Sequence, residues 1–477
     1  MSSTEHPTLW ELTAAAGPVA RRFLLDEHAS VPLDVLAGAT ALGPQRAALR
    51  GQNVVLIVGT QRAATLALLE LDGLARRIVL CPPDLKHQQL PHVMAMAEAR
   101  IVVSDRPLPE LESAGAVCVV TGAPTQVAGA PEPAADRPTE WVLFTSGTTG
   151  PPKLAVHSLR SLTGAIARVT NTAGDQVWST FYDIRRYGGL QILLRALIGG
   201  GSMVLSGAEE PVSDFLARAG AAGVAFISGT PTHWRRALLS PAATAIAPAN
   251  VRLSGEVADQ AILDKLRGAY PAARVAHAFA STEAGVAFEV ADGLAGFSTA
   301  LIGPERPGGI TLRVQDDTLR IRSPRAASRY LGDQPEPIAD AEGFVDTKDL
   351  VVLRDDRYHF AGRKDGVINV GGLKVHPLEV EAVINRHPRV EMSLVKARRS
   401  PIIGAIVVAD VVLAATGDAT GDAIGDAGGE GADTKRLETE ILDLCRGTLA
   451  AYKVPATLRF VPALDVTPSG KLRRVHA

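Results

Sequence analysis

The first segment of this chain whose residue types are suited to chemistry is rich in glycine and hydroxyl side chains. Residues 145–153 read TSGTTGPPK and directly follow the strand-like segment WVLF. Small residues let backbone amides approach phosphate oxygens, and Lys153 adds a positive charge. The spacing does not fit the Walker A pattern GxxxxGK[ST], so we predict a different phosphate loop; the alternative is a polar turn between domains. Its candidate contacts are Thr145, Ser146, Gly147, Thr148, Thr149, Gly150 and Lys153.

Three carboxylates and a lysine further along the chain stand in segments that could complete a nucleotide site. Glu283 closes FASTE, and a carboxylate is what a hard cation with phosphate ligands requires. Asp349 closes GFVDTKD, Glu256 closes SGE, and Lys471 closes TPSGK. Taken singly, each has a simpler alternative: a helix cap for STE, a turn for SGE, and solvated side chains for Asp349 and Lys471.

Taken in order, these segments resemble the AMP-forming adenylating superfamily of acyl- and aryl-CoA ligases, peptide-synthetase adenylation domains and luciferases. The resemblance runs from about residue 140 to residue 472 and is closest in outline to a stand-alone acyl-CoA ligase. It implies that Glu283 holds Mg²⁺ and that Thr282 contacts phosphate or the adenylate. It also implies that Asp349 and Arg363 bind the ribose. The positions it places around the adenine or in the same motif are Gly255, Glu256, Phe279, Ala280 and Ser281.

The resemblance implies the main catalytic role for Lys471. In the family, the lysine of this motif bridges the substrate carboxylate and the α-phosphate, where a fixed cation stabilises the charge that develops as pyrophosphate leaves. Asp365, in the segment GRKDG, is implied as a hinge. The turn at Gly371 and Gly372 is implied to line a channel for pantetheine in thioester-forming relatives.

The sequence departs from the family at a few positions. Lys348 stands where Gly is usual before Asp349, and the segment at 179–189, STFYDIRRYGG, lacks the usual aromatic-His pair. Two interpretations of Asp183 stay open: it binds an amine or hydroxyl of the substrate, or it forms a structural ion pair with an arginine. The candidate substrate residues are Tyr182, Asp183, Arg185 and Gly229.

The elements that must position these residues are predicted from apolar periodicity. Short apolar runs such as NVVLIVG and GVAFISGT alternate with amphipathic segments, which indicates an α/β fold with largely parallel sheets. From about Asp316 the pattern changes to short alternating strands. After Arg363 a helix, PLEVEAVINRH, and further strands indicate a small α+β domain.

We therefore predict a large N-terminal α/β region of several subdomains over 1–361, a hinge at 362–365, and a small mobile C-terminal α+β domain over 366–477. Within the last domain, residues 416–434 form an imperfect Gly-Asp-Ala repeat. We expect a flexible surface loop there; the alternative is a calcium-binding turn array.

Composition narrows the class of protein. The 49 basic and 51 acidic residues nearly balance, so no nucleic-acid partner or acidic membrane surface is expected. The start lacks a signal-peptide pattern, and the longest apolar stretch, 402–415, is too short to span a bilayer. Three widely spaced cysteines fit a reducing compartment, so we expect a cytoplasmic enzyme without membrane insertion.

The expected activity is ATP- and Mg²⁺-dependent adenylation of a carboxylic acid with release of pyrophosphate, followed by transfer to a thiol. Coenzyme A is the expected acceptor because no carrier domain is fused to the sequence. Alternatives are a free-standing acyl carrier protein, or an unusual oxyacid such as nitrite for N–N bond formation on an amine. A binding-only relative and a P-loop NTPase remain as further alternatives.

Overall fold

The computed structural model describes most of the 477 residues. The described ranges are 6–113, 115–126, 138–145, 153–166, 176–332, 336–400, 404–414 and 429–474. Within these ranges, no helix combines the length and the apolar character that a membrane span requires.

The α-helices of the described residues are mostly short and lie largely in the first half of the chain. They are α1 Leu9–Ala15, α2 Gln61–Leu71, α3 Leu90–Met96, α4 Pro109–Ser113, α5 Leu159–Thr163, α6 Tyr187–Ile198, α7 Val212–Ala221, α8 Pro231–Leu239, α9 Gln260–Ala269, α10 Pro377–Ile384 and α11 Gly429–Thr448.

The strands continue to the C-terminal end of the described chain. They are β1 Phe23–Leu25, β2 Ser30–Pro32, β3 Ala39–Thr40, β4 Asn53–Ile57, β5 Arg77–Leu80, β6 Ile101–Ser104, β7 Val117–Val120, β8 Thr125–Gln126, β9 Glu140–Phe144, β10 Leu154–Ser158, β11 Val177–Thr180, β12 Ser202–Val204, β13 Phe226–Gly229, β14 Asn250–Ser254, β15 Arg274–Ser281, β16 Gly285–Val290, β17 Phe297–Ser298, β18 Thr311–Gln315, β19 Thr318–Arg322, β20 Arg329–Tyr330, β21 Val345–Arg354, β22 Arg357–Arg363, β23 Ile368–Val370, β24 Leu373–Val375, β25 Val390–Ser400, β26 Gly404–Leu413 and β27 Thr457–Phe460.

Two large sheets form the centre of the N-terminal region. One has the order β20-β10-β9-β5-β4-β6-β7, and the other has the order β16-β15-β14-β13-β11-β12-β1-β2. Their inner strands run parallel, whereas edge pairs such as β15–β16 and β9–β10 are antiparallel. The prediction of an α/β fold with largely parallel sheets is confirmed.

Burial on both faces explains why the inner strands are continuous apolar runs. On β4, Val54 and Leu56 join the core cluster that includes helices α2 and α6, whereas Val55 joins a second cluster with α3. A third cluster covers the other large sheet with α7, α8 and α9. The loops at the carboxyl ends of β13, β14 and β15 lead to the cleft described below.

Two helices that border the cleft begin at side-chain caps. The hydroxyl of Thr230 accepts the N–H of His233 at 3.0 Å before α8, and the carboxylate of Asp259 accepts the N–H of Ile262 at 3.0 Å before α9. Such caps satisfy amides that the first helical turn leaves without partners, and they fix the direction in which the chain enters the helix. The positions of residues 230–233 and 256–259 are therefore well defined.

The β-rich unit predicted from about Asp316 is a five-stranded antiparallel sheet with the order β17-β22-β21-β19-β18. It begins slightly earlier than expected, with β17 and β18. Its longest strand, β21, carries Asp349, and its neighbour β22 ends at Arg363. The change in the spacing of apolar residues, from the helical period of 3.6 to the strand period of 2, therefore predicts this unit correctly.

The C-terminal domain has the expected α+β composition, with helices α10 and α11 packed on the sheet β25-β26-β27. Helix α11 begins at Gly429, so residues 429–434 are helical, and the loop predicted over 416–434 ends earlier than expected. Residues 416–428 lie outside the described residues. Beyond β27, the chain folds into a narrow turn in which the N–H of Thr467 donates to the carbonyl of Lys471 at 2.7 Å.

Candidate active site

A cleft of about 2040 Å³ lies where the large N-terminal region meets the C-terminal domain. Residues of β15, β21 and β22 line it from one side, and the end of the C-terminal domain lines it from the other. Most residues selected from the sequence come together in this cleft. Those among its lining are Thr145, Lys153, Tyr182, Asp183, Gly255, Glu256, Phe279, Ala280, Ser281, Thr282, Glu283, Asp349, Arg363, Asp365 and Lys471.

The Lys471 side chain enters the cleft beside Gly255. A methyl group placed on Gly255 would lie 3.3 Å from Cε and 3.8 Å from Nζ of the lysine. Burial lowers the pKa of Lys471, whereas the carboxylates of Glu256 and Asp349 raise it. A solvated tail lysine is therefore the wrong interpretation, because this side chain is enclosed and has acidic neighbours.

Asp349 lies near Lys471 at the end of a bend in strand β21. Burial raises the pKa of Asp349 to about 6, against the opposing effects of Arg363 and Lys471. Arg363 Nη1 lies 3.9 Å from Asp349 Oδ1, and Arg363 Nε lies 3.6 Å from Asp365 Oδ1. The carboxylate and the guanidinium thus face the same part of the cleft, as the sequence analysis expects of two ribose contacts.

Lys348 has a φ of 59°, in the left-handed region that favours glycine. This conformation explains why glycine is usual at the position before Asp349. The bend is held by side chains: the hydroxyl of Thr347 accepts the N–H of Asp349 at 3.1 Å, and Asp346 Oδ1 accepts the N–H of Lys348 at 2.9 Å. A lysine in this left-handed conformation is strained where a glycine would not be, but the carboxylate of Asp349 still lies in the cleft.

The segment 279–283 comprises the last three residues of β15 and the two residues after it, and side chains that were not selected from the sequence support it in the cleft. The carbonyl of Thr282 accepts a hydrogen bond from Nε2 of the buried His157 at 2.7 Å. Burial lowers the pKa of His157 to about 4, so its ring is neutral. Tyr330 donates its hydroxyl to Glu283 Oε1 at 3.3 Å, which orients the carboxylate.

The other members of this segment are held by packing and by a turn. The ring of Phe279 stacks on Phe360 and Phe288, with centroid separations of 5.3 Å and 5.8 Å. The hydroxyl of Ser281 accepts the N–H of Ala284 at 3.0 Å, and Ala280 packs against the largest core cluster. The aromatic stack is thus a rigid wall of the cleft.

The predicted phosphate loop is described only at its two ends. The N–H of Thr145 donates to the carbonyl of Lys153 at 3.0 Å, so the two described ends of the segment lie side by side. Lys153 Nζ lies 2.7 Å from Glu336 Oε2 and above the ring of Tyr330. Ser146, Gly147, Thr148, Thr149 and Gly150 lie outside the described residues.

The cluster around Asp183 forms a buried ion pair. Arg185, only 2% exposed, donates Nε to Asp183 Oδ1 at 2.8 Å and Nη2 to Oδ2 at 2.5 Å. The same guanidinium donates to the carbonyls of Val58 and Gly59. Of the two interpretations left open above, these contacts favour the structural one.

The remaining candidate substrate residues are held by neighbouring side chains and backbone. The hydroxyl of Tyr182 donates to the carbonyl of Ser254 at 2.7 Å, and a methyl group on Gly229 would lie 2.7 Å from the ring of Phe181. Arg186 pairs with Asp84. Tyr182 thus lines the cleft with its hydroxyl held by the backbone, whereas Gly229 and Arg185 are not among the described residues that line it.

His157, His233 and Tyr330 are the residues near the site that sequence reasoning missed. His157 lies in a short apolar strand, where a lone histidine usually means a satisfied core residue. His233 lies in the first turns of α8, four residues after the candidate Gly229. Their partners are distant in sequence, so no local spacing could have identified them.

Comparison with known proteins agrees with this geometry. The chain matches the family described as AMP-binding enzyme over residues 33–327, and the AMP-binding enzyme C-terminal domain over residues 379–471. The 2-succinylbenzoate–CoA ligase of Salmonella typhimurium is 28% identical over 379 residues, which are 76% of this chain and 76% of that relative. Mitochondrial acyl-coenzyme A synthetase ACSM4 of Mus musculus is 35% identical over 163 residues, which are 33% of this chain and 26% of that relative.

The fold agrees with a solved structure along nearly the whole chain. The anthranilate CoA ligase AuaEII, crystallised with anthranoyl-AMP, matches with a TM-score of 0.77 at 19% sequence identity, covering 98% of this chain and 96% of that one. The first family match alone spans more than half of the 477 residues, and the second includes Lys471. The chain is therefore a member of the AMP-binding enzyme family, the adenylate-forming enzymes of the acyl- and aryl-CoA ligase type.

Proposed function

We propose that this enzyme activates a carboxylic acid with ATP and transfers the acyl group to the thiol of coenzyme A. The observation that carries the proposal is the Lys471 side chain, enclosed in the cleft beside Gly255 with Glu256 and Asp349 nearby. A cation held there can oppose charge that develops on the acid and the α-phosphate. The Salmonella relative is a 2-succinylbenzoate–CoA ligase, and this supports coenzyme A and an acid that carries an aromatic ring as substrates.

The reaction has two steps. A carboxylate oxygen of the acid attacks the α-phosphorus of ATP, the bond from that phosphorus to the bridging oxygen breaks, and pyrophosphate leaves. The thiolate of coenzyme A then attacks the acyl carbon, and AMP leaves with the electron pair of the acyl–oxygen bond. Lys471 acts in the first step by binding both reacting oxygen groups in one geometry.

The proposed contacts with the nucleotide are assigned from where each residue lies in the cleft. Asp349 would accept hydrogen bonds from the ribose hydroxyls, and Arg363 would donate to the same sugar. Gly255, Glu256 and the stacked ring of Phe279 would border the adenine. The loop from Thr145 to Lys153 would bind the phosphates through its backbone amides.

Glu283 is the residue that would hold Mg²⁺. Within the described ranges, no group of three or more His, Cys, Asp or Glu side chains could hold a metal ion. One carboxylate, oriented by Tyr330, fits a cation that keeps water and takes most other ligands from nucleotide phosphates. Mg²⁺ bound there would neutralise phosphate charge.

We also propose that residues 362–365 form a hinge between regions 1–361 and 366–477. Strand β22 ends at Arg363, and Asp365 lies in a single turn before β23. Gly371 and Gly372 form the next turn, with φ values of 57° and 90°. Rotation about the hinge would withdraw Lys471 and bring this turn towards the acyl-adenylate for the thiol step.

The proposal is tested by pyrophosphate release with ATP and Mg²⁺ across benzoates, 2-aminobenzoates, 2-succinylbenzoate and straight-chain acids. Each acid is assayed with and without coenzyme A, and the thioester is identified by mass. We expect acid-dependent pyrophosphate from the native enzyme and none from Lys471→Ala. Adenylate without thioester would favour a carrier protein as acceptor, and AMP formation only with nitrite would favour the N–N alternative. Nucleotide binding without pyrophosphate from any of these substrates would refute the proposal.

A further inference from the structure

Glu256 joins the N-terminal region to the segment that carries Lys471. Its Oε2 accepts the N–H of Thr232 at 3.0 Å, and its Oε1 accepts the N–H of Leu472 at 2.8 Å. The first partner lies in the first turn of helix α8. The second is the residue directly after the lysine, 216 positions away in sequence. One carboxylate therefore connects helix α8 to the C-terminal tail, residues 467–474, through two separate oxygens.

The attachment to α8 makes Glu256 a rigid anchor. A carboxylate that accepts an amide in the first turn of a helix satisfies an otherwise unpaired donor and is stabilised by the helix dipole. Hydrogen bonds to an ionised group are also stronger than those between neutral groups. The bond to Leu472 is thus made by a side chain whose own position is already determined.

A second contact holds the tail on the other side of the lysine. The hydroxyl of Thr230 donates to the carbonyl of Gly470 at 2.7 Å. The main-chain atoms of residues 470 and 472 are therefore both bound by side chains of the N-terminal region, and Lys471 lies between these two attachments. With both neighbours fixed, the direction in which the lysine side chain leaves the backbone is fixed as well.

The rest of the C-terminal domain contacts the N-terminal region through residues other than those of the tail. Asn385 Nδ2 donates to Asp259 Oδ2 at 2.9 Å, and Lys265 Nζ lies 2.9 Å from Glu391 Oε2. These bonds join α9 and its cap to the end of α10 and the start of β25. They place the C-terminal domain against the N-terminal region, but neither reaches the turn at 467–471.

We propose that Glu256 is a positioning residue for Lys471: it binds the tail so that the lysine lies in the cleft for adenylation. The role rests on the proposed function, since it assumes that Lys471 acts in the first half-reaction. In Glu256→Ala both bonds are lost. In Glu256→Gln one acceptor oxygen remains while the amide nitrogen faces an N–H donor, so part of the attachment is kept.

The first measurement separates the half-reactions. Loss of charge-assisted hydrogen bonds predicts that adenylation by Glu256→Ala falls roughly 10- to 100-fold, with a smaller loss for Glu256→Gln. Because Glu256 also borders the proposed adenine position, its loss is expected to raise the KM for the acyl-adenylate. Thioester formation is therefore compared at saturating acyl-adenylate, where its kcat should stay within about twofold of the native value. The matched control is Asp264→Ala, an exposed residue on α9 whose partners Gln260 and Arg267 lie on the same helix. Equal losses in both half-reactions would overturn the role.

The second measurement needs no acid substrate. A lysine-specific endopeptidase cleaves after Lys471 only when the tail leaves the cleft, and the loss of residues 472–477 is followed by intact mass. We expect cleavage several-fold faster in Glu256→Ala than in the native enzyme or Asp264→Ala, with unchanged thermal unfolding. Equal cleavage rates would overturn the proposal. Faster cleavage in an enzyme that adenylates no acid would keep Glu256 as the tail anchor and refute the proposed function alone.

Discussion

The ring of His233 lies against Gly470 so closely that a methyl group on the glycine would be 1.8 Å from Nε2. Gly470 also has a φ of 71°, in the region that side chains other than glycine rarely adopt. Burial lowers the pKa of His233 to about 3, so the ring is neutral and adds no charge beside Lys471. The approach of the tail to α8 thus depends on the absence of a side chain at position 470.

We expect Gly470→Ala to abolish adenylation while the rest of the protein folds normally. The methyl group would overlap the His233 ring, and the tail would leave the cleft rather than compress a buried histidine. Pyrophosphate release measures the loss, and thermal unfolding checks the fold. Gly447→Ala is the matched control, because a methyl group on that helical glycine would have no atom of another segment within 4 Å. Adenylation by Gly470→Ala within about threefold of the native rate would show that the tail can dock another way.

Lys471→Ala is expected to separate the two half-reactions. Removing the cation should lower adenylation by at least about 100-fold, since charge stabilisation at the reacting groups is a large catalytic effect. Thioester formation from presynthesised adenylate should be spared. Single-turnover assays of each step measure the difference. Equal losses in both steps would mean that the lysine acts on both or holds the structure.

Nucleoside binding should weaken in acid because of Asp349. Its pKa of about 6 means that the carboxylate becomes a neutral acid as the pH falls through that value, and the neutral form accepts ribose hydroxyls less well. Adenosine is the suitable ligand, since it has no phosphate to titrate in this range. At pH 5 only about a tenth of the side chains are ionised, so the Kd should rise roughly tenfold relative to pH 7.5.

The matched variant for this titration is Asp349→Asn, which cannot ionise. Its adenosine affinity should be low at every pH, and the dependence between pH 5 and 7.5 should disappear. A native profile that stays flat, or an Asp349→Asn profile that keeps the full dependence, would place the titrating group elsewhere.

Asp183→Ala should destabilise the protein rather than act through substrate binding alone. It leaves the Arg185 guanidinium buried without its carboxylate, and breaking one half of a buried ion pair costs about 3 kcal/mol or more. Chemical denaturation measures the free energy of unfolding. Asp443→Ala, which breaks an exposed pair with Arg446, should change it by less than about 1 kcal/mol. Unchanged stability with a raised KM for the acid would restore the substrate interpretation.

The sequence predicted the fold class from local apolar patterns, and most of the residues selected through the family resemblance lie in one cleft. Apolar runs gave the parallel strands, and the ordered motifs gave Glu283, Asp349 and Lys471, which all line one cleft. Even the departure at Lys348 kept the local geometry, since its backbone adopts the glycine-like conformation. Apolar periodicity was sufficient for the fold class, and the order of the motifs, matched to the family, was sufficient for these cleft residues.

What the sequence could not predict are contacts between distant segments. Glu256 was selected only as a neighbour of the adenine, and its bond to Leu472 spans 216 positions. The pairing of Asp183 with Arg185 is local, but the choice between its two interpretations depends on distant contacts, because the buried guanidinium also donates to the carbonyls of Val58 and Gly59. His157 supports Thr282 from a strand 125 residues earlier. Such contacts follow from tertiary packing, which no periodicity encodes.

Both attachments of the tail are made to peptide groups: Glu256 to the N–H of Leu472, and Thr230 to the carbonyl of Gly470. Peptide groups are common to nearly all amino acids, so natural variation can replace the side chain at 472 without loss of the contact. Proline is the exception there because it has no N–H to donate. Position 472 should therefore tolerate many side chains, whereas Gly470 and Lys471 should not. Thr467, which accepts the N–H of Lys471, and Arg474, which pairs with Glu381, make side-chain contacts that also limit substitution.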